Sequence, residues 1–491
     1  MLGRMPSRRS LLAMPALLLA GTGFGRAADA PFTLGVASGD PWPDSVVIWT
    51  RLAPEPLAPL GGMPPGAVVE VGWEVAEDPG FTRIVARGTE TAHAAEGFSI
   101  HAEPRGLRPG RPYWYRFHAE GVPSPVGRSR TAPAPGTAAP VRFVNAGCQH
   151  LEHGWFTAWR HIAEEELEFV FHYGDYIYEF AGRQPGQAGG FGPTIRSHAG
   201  GQCRSLEDYR QRYAQYHADP DLAAAHAAHP FIASFDDHEV ENNWAGAQSQ
   251  QDGRSRRHPV ALPKAAFLAQ RAAAFQAWWE AMPLRRAQRP QGADILAHRR
   301  LGFGGLVDLH VLDTRQYRDD QPCGDVNGPA CPEVARPEAQ MLGAAQEDWL
   351  MRGLGASAAR WQVLAQQVML MPRRFANDAI SMDKWDAYPA ARDRLLRGFA
   401  ERRIANAVVL SGDVHNAWAG ELGWTRRGRW WRASSPPPAS AAPGTGRRRC
   451  SRPPPPWRAT RISASSTTAA AMPCTRRGRT GWRRCSARCR K

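Results

Sequence analysis

From residue 31 to about residue 138, short apolar runs alternate with turn residues. Ser45-Val-Val-Ile-Trp-Thr50, Val68-Val-Glu-Val-Gly-Trp-Glu-Val75, Arg83-Ile-Val-Ala86 and Tyr113-Trp-Tyr-Arg-Phe117 are rich in β-branched and aromatic residues, and Asp40-Pro41, Asp78-Pro-Gly80 and Arg108-Pro-Gly110 separate them. This pattern predicts a small all-β sandwich domain. A linker follows from Ala132 to Pro140, with three prolines and a glycine. From residue 141 to about 424, strand-like runs alternate with helix-length stretches, which predicts an α/β domain of layered sheets flanked by helices. Strands are expected at Val141–Ala146, Phe169–His172, Phe231–Phe235, Leu306–Leu312 and Ala407–Ser411, with a strand region in Trp361–Met371. Helices are expected at Trp155–Leu167, Leu206–Asp219, Pro263–Trp279, Gln346–Leu354 and Ala390–Glu401.

Polar chemistry collects just after the apolar strands. Phe169-Val-Phe-His-Tyr-Gly-Asp-Tyr-Ile-Tyr-Glu179 is a buried strand that stops at Gly174 and presents Asp175 and Tyr178 three residues apart. An anionic carboxylate and a potential phenolate on a rigid element suit a hard cation; a turn with Asp175 as a helix cap is the other reading. Asp236-Asp237-His238-Glu239 follows another strand, where the acidic pair could begin a helix or surround a cation. Gly412-Asp413-Val414-His415 follows a third, and its Asp and His could ligate metal or simply bond each other. Cys148 is either a small buried hydrophobe or a thiolate ligand. Arg315 and Arg318 are surface arginines or, at this edge of an α/β sheet, a guanidinium clamp for phosphate oxygens. No Gly-x-Ser-x-Gly elbow or phosphate-binding P-loop is present in the body.

Composition alters the picture at the two ends. Arg8-Arg9, the apolar run Leu11–Ala20 and the small-residue site Ala28-Asp29-Ala30 predict that residues 1–30 are a cleaved twin-arginine export signal, and the run is too short for a permanent transmembrane anchor. The formal charge of +15 suggests a nucleic-acid partner, but residues 425–491 alone hold 17 Arg, one Lys and no acidic residue. The body is therefore net acidic, and no stable nucleic-acid complex is expected. This Arg/Pro-rich tail shows neither strand nor helix periodicity, so it is expected to be disordered. It is either a genuine basic tail that binds acidic polymer or an out-of-frame translation after about Trp424, and the abrupt loss of every acidic residue favours the second. Four of the eight cysteines lie in that tail. Cys323 and Cys331 enclose a Gly/Pro/Asn loop and are a disulfide candidate in an oxidising compartment.

Gly174-Asp-Tyr-Ile-Tyr-Glu, Phe235-Asp-Asp-His-Glu-Val-Glu-Asn-Asn, Leu312-Asp-Thr-Arg-Gln-Tyr-Arg, Met341-Leu-Gly and Leu410-Ser-Gly-Asp-Val-His together resemble the alkaline phosphatase D family, within the calcineurin-like and purple acid phosphatase group. The resemblance runs from the export signal to about Gly423. It implies a secreted, metal-dependent phosphomonoesterase and phosphodiesterase with iron and calcium, acting on a phosphate-ester substrate by in-line attack of a metal-activated hydroxide. It implies that Cys148, Asp175 and Tyr178 hold ferric iron, with Asp175 bridging to a second metal. Asp237, Asn242, Asp413 and His415 complete the metal set, and His238 and Arg315 are the catalytic pair. The N-terminal sandwich resembles a fibronectin type III domain. Export through the twin-arginine machinery to the periplasm or beyond, and a monomeric state, are expected. The aberrant tail, standing where the family has further strands, opens an alternative: an inactive, truncated family member or an exported binding protein.

Overall fold

The computed structural model describes residues 31–189, 192–254, 258–373 and 375–425, and as backbone strands 428–434, 462–464, 473–478 and 481–486. The signal-peptide expectation for residues 1–30 lies outside the described residues.

Two sheets face each other at the centre. The first has six strands in the order Ser99–Ala102, Val47–Arg51, Val36–Gly39, Pro230–Ala233, Phe169–His172, Phe143–Ala146. Its last three strands are mutually parallel, with Val170 opposite both Phe231 and Val144. The second sheet orders Arg299–Phe303, Val307–Val311, Trp361–Ala365 and Ala407–Ser411, the last three again parallel. Strands such as Phe169–His172 are buried along their whole length, and for this reason they read as continuous apolar runs rather than alternating ones.

Between the sheets lies a core of Phe143, Phe169, Phe171, Tyr173, Ile232, Leu301, Phe303, Leu309 and Val363. Phe169 stacks on Phe143 within its own sheet at 4.9 Å and on Phe303 across the gap at 4.4 Å. Each such ring contributes about 1.5–3 kcal/mol on burial. The outer face of the first sheet is covered by the helices Thr157–Ala163, Leu206–His217, Pro220–Ala228 and Lys264–Ala281. Ala344–Ala356 and Pro389–Glu401 cover the second. The result is a helix–sheet–sheet–helix layering.

The helix expected over Leu206–Asp219 ends at His217, and a second one starts at Pro220. Asp219 is the reason: its Oδ1 accepts the backbone N–H groups of Asp221 and Leu222, and Pro220 takes the first helical position, where a missing N–H costs nothing. Ser205 and Asp208 form a reciprocal capping box at the start of the preceding helix.

The N-terminal segment is all-β, and one of its layers is shared. Val68–Ala76, Ile84–His93 and Pro112–Ala119 form a separate sheet. Val36–Gly39, Val47–Arg51 and Ser99–Ala102, which pack against it, belong to the first central sheet, with Ser38 paired to Pro230. The tail, expected to be disordered, carries backbone strands. Gly428–Ser434 pairs with Trp418–Thr425, and Ile462–Ala464 lies parallel to Ala407–Ser411. Strand pairing is made by main-chain groups, so the open edge of Ala407–Ser411 accepts a partner of unfavourable composition.

Candidate metal centre

The loops that follow the carboxyl ends of the central parallel strands meet at one edge of the two sheets. The first sheet delivers Cys148, Asp175 and the 236–238 segment there; the second delivers Arg315 and the Asp413–His415 loop. Glycines allow these loops to meet. A Cβ at Gly174 would lie 2.4 Å from the backbone N of Asp236, and one at Gly412 would lie 2.2 Å from the Tyr173 ring. Cys148, Asp175, Asp413 and His415 themselves adopt left-handed backbone conformations, with φ of 54°, 51°, 66° and 52°. Strain of this kind, about 1–3 kcal/mol per residue, persists where surrounding structure fixes the geometry. Glu239 is one such fixture. Its buried carboxyl group accepts the N–H groups of Asp175 at 3.1 Å, Tyr176 at 2.6 Å and Asp236 at 2.8 Å, tying two site loops together.

The side chains converge in three overlapping groups, each with its donor atoms within 4.8 Å of one another: Cys148, Asp175 and His415; Asp175, Asp237 and His238; Asp236, Asp237 and Asp413. Asp175 Oδ2 accepts from Cys148 Sγ and from Tyr178 Oη, each at 3.2 Å, and Tyr178 Oη lies 3.2 Å from His415 Nε2. Asp175 and Asp237 each join two groups, which is the position of a bridging ligand. Asn242 sits at the rim, its backbone N–H donated to Glu179 Oε1 at 2.9 Å. The 236–239 segment is a turn and does not begin a helix.

Electrostatics fit a cation. Asp175 Oδ1, Asp236 Oδ2 and Asp237 Oδ1 are buried without a hydrogen-bond partner, an expensive arrangement for carboxylates. Burial, reinforced by Asp237, Asp413 and Asp175, pushes Asp236 well above the usual carboxylate range in spite of Arg315. Burial and the Asp175 charge likewise push the Cys148 thiol and the Tyr178 phenol well up. A bound metal would reverse these shifts by drawing the protons off.

Arg315 occupies a different place from the one its sequence position suggests. It is fully buried behind the carboxylates, its Nε donating to Asp236 Oδ1 at 2.5 Å and its Nη1 to Asp383 Oδ1 at 2.7 Å, with Nη2 3.6 Å from both Asp237 and Asp413. It lies as an internal counter-ion to these carboxylates, with Nε and Nη1 hydrogen-bonded and Nη2 left without a hydrogen-bond partner. Arg318 is also buried on Asp383.

Several members of the site went unassigned in the sequence. Glu179 holds His238 Nδ1 at 2.7 Å, and its place at the end of the Asp175 motif was a signal for it. Lys384 contacts Asp413 and, at 2.8 Å, Asp383. Asp383 and Lys384 come from irregular chain with no periodicity to mark them. Cys323 and Cys331 are joined as a disulfide, and Asp325 within that loop accepts from Asn243 Nδ2 at 2.7 Å, so the loop reaches the acidic turn.

Two facing sheets that pour carboxylates, a thiol, a phenol and imidazoles into one edge define a layered α/β protein with a candidate multi-metal centre. Residues 143–441 match the PhoD-like phosphatase family and residues 20–133 the N-terminal domain of PhoD-like phosphatases, so the chain belongs to the PhoD-like phosphatase family. It is 48% identical to alkaline phosphatase D of Bacillus subtilis (strain 168) over 396 residues, 80% of this chain and 66% of that one. It thus spans just under two thirds of that relative. A solved structure of PhoD superposes with a TM-score of 0.75 at 46% identity, covering 81% of this chain and 74% of the other. A purple acid phosphatase from yellow lupin seeds aligns at 12% identity with a TM-score of 0.48, over 79% of this chain and 59% of that one.

Proposed function

We propose that this chain is an exported, metal-dependent phosphoesterase that hydrolyses phosphate monoesters and diesters. The observation that carries this reading is the convergence of orphaned buried carboxylate oxygens on Asp175, Asp236 and Asp237 beside Cys148, Tyr178 and His415. The thiol, phenol and Asp175 carboxylate suit ferric iron, and the all-carboxylate group of Asp236, Asp237 and Asp413 suits calcium. When bound, such metals supply Lewis acidity toward phosphate oxygens and a nucleophile at neutral pH.

The chain's own groups do the rest. Asp175 and Asp237, each shared between two donor groups, would help to hold the cations. His238, packed on Tyr178 at 4.2 Å with its Nδ1 engaged by Glu179, keeps its other nitrogen for a proton at the leaving-group oxygen. Arg315 and Lys384 offset the carboxylate charge from behind. Arg8-Arg9 and the apolar run after it support export through the twin-arginine route. Among the described residues no helix is long and apolar enough to cross a membrane.

The test is hydrolysis of p-nitrophenyl phosphate and bis-p-nitrophenyl phosphate by the purified chain supplied with iron and calcium, alongside metal analysis. Turnover that vanishes on chelation and returns with metal supports the reading. Folded, metal-loaded protein without turnover would leave it to the alternative of an inactive or purely binding family member.

A further inference from the structure

Arg315 is fully buried against carboxylates. Two other cations stand near the Asp413–His415 loop. Lys384 is held between Asp383 and Asp413, so its charge is already matched. Arg373 is not matched. Its guanidinium lies over the ring of Phe375 at 4.5 Å and that of Trp418 at 5.6 Å, and it forms no ion pair with any described residue.

The setting of Arg373 is built rather than incidental. Its backbone N–H donates to Asp386 Oδ2 at 2.8 Å, and Asp386 is itself buried and held by Arg392 at 2.8 Å. Met369, Met371 and Val414 form a small apolar cluster against which Trp418 packs, so the platform under the guanidinium is continuous with the metal-site loop that contains Val414. Burial lowers the basicity of Arg373, while the Asp413 and Asp386 charges oppose that shift. Aromatic faces hold a guanidinium in place without consuming its N–H donors, leaving the fork free for a planar pair of oxygens.

Resting on the phosphoesterase reading above, we propose that the Arg373 guanidinium, seated on Phe375 and Trp418 beside the Asp413–His415 loop, binds a non-bridging phosphate oxygen of the substrate and sets its affinity. Phe375 and Trp418 are positioning residues for it.

The experiment compares wild type with Arg373→Ala, Arg373→Lys and Lys384→Ala, all loaded with iron and calcium. Inorganic phosphate binding is measured by calorimetry, and KM and kcat are measured on p-nitrophenyl phosphate. Thermal midpoint and metal content are measured for each. The expected result is a loss in phosphate affinity and a rise in KM of about 10- to 100-fold for Arg373→Ala, with metal content unchanged and a partial return for Arg373→Lys. Phosphate affinity within twofold of wild type in a folded Arg373→Ala protein overturns the proposal, as does wild-type protein that binds no phosphate. Because binding is read apart from turnover, a wild type that binds phosphate but hydrolyses nothing defeats the phosphoesterase reading while Arg373 is still tested.

Discussion

Glu179 Oε2 lies 2.7 Å from His238 Nδ1, and both side chains are buried. Burial alone would favour the neutral imidazole, yet Glu179, with Asp237 and Asp175, raises the basicity of His238 well above its ordinary value. The other Glu179 oxygen accepts the Asn242 N–H at 2.9 Å, so one carboxylate fixes both the imidazole and the turn that follows it. Glu179→Gln keeps the shape and removes the charge. If protonated His238 serves the leaving group, the activity lost with rising pH will be lost at lower pH in the variant than in wild type. We expect kcat to fall about 10- to 100-fold with KM changed less, since orienting partners are typically worth that much. A pH–rate profile superimposable on that of wild type would refute the role.

Asp175 is the side chain through which the Cys148 and His415 group meets the Asp237 and His238 group. Asp175→Ala should therefore empty more than one cation position. The expected loss in kcat/KM is on the order of 10³-fold, the equivalent of several kcal/mol of charge stabilisation. Cys148→Ser removes only a donor from one group and should reduce iron while leaving calcium. Metal analysis of the two purified variants distinguishes them; equal metal loss from both would contradict the bridging position of Asp175.

Three site loops are packed on one another through glycines and Tyr173. A Cβ at Gly147 would stand 2.5 Å from the Tyr173 ring and 2.6 Å from Gly174 O, and one at Gly412 would stand 2.2 Å from the same ring. Tyr173 is buried between the sheets and cannot retreat without disturbing the core it shares with Phe171 and Ile232. Gly147→Ala and Gly412→Ala should each destabilise by about 1–3 kcal/mol, the usual cost of overpacking a filled interior. Denaturant midpoints test this, and a variant as stable as wild type would show that the loops can part.

What the sequence made readable follows from what burial does to composition. Phe169–His172 and Ala407–Ser411 are covered on both faces, so their apolar runs stand out, and the polar loops after them stand out by contrast. Strand partners were not readable in the same way. Ser38 pairs with Pro230, and no local pattern near Val36–Gly39 or Ser99–Ala102 reveals that they extend the first central sheet. Site members on irregular chain were hidden for a related reason. Asp383 and Lys384 reach the centre only because the second sheet brings their loop beside Asp413, and isolated charges in loops ordinarily face water. Arg315 illustrates the converse: its position after a strand end was evident, whereas its direction, inward onto Asp236 and Asp383, depends on the assembled carboxylates.

Stability should fall in mild acid because of histidines buried in the fold. Burial lowers His101, His172 and His217 each from 6.5 to about 3, and His226 further still. His101 is stacked on Trp279 at 4.1 Å, His217 donates to Ala281 O at 2.9 Å, and His226 bonds Tyr176 Oη at 2.8 Å; it is their burial that disfavours the charged form. A group whose folded pKa is depressed gives its full stabilisation above the unfolded value and loses it as pH falls. The window therefore opens near pH 6.5 and extends toward 3, each histidine costing about 2 kcal/mol by pH 5. Glu239 works in the opposite sense: burial raises it to about 8, so in the folded protein it already holds a proton through this window and offsets one histidine. Asp236, raised well above its ordinary value in the absence of metal, works in the same sense as Glu239 and gives a second offset. A cation at Asp236 and Asp237 would keep Asp236 charged and cancel that second offset. Thermal midpoints should consequently drop between pH 6.5 and 5, and more steeply for metal-loaded than for metal-stripped protein. A midpoint constant down to pH 5 in both forms would show that these histidines are not neutral and buried as the fold places them.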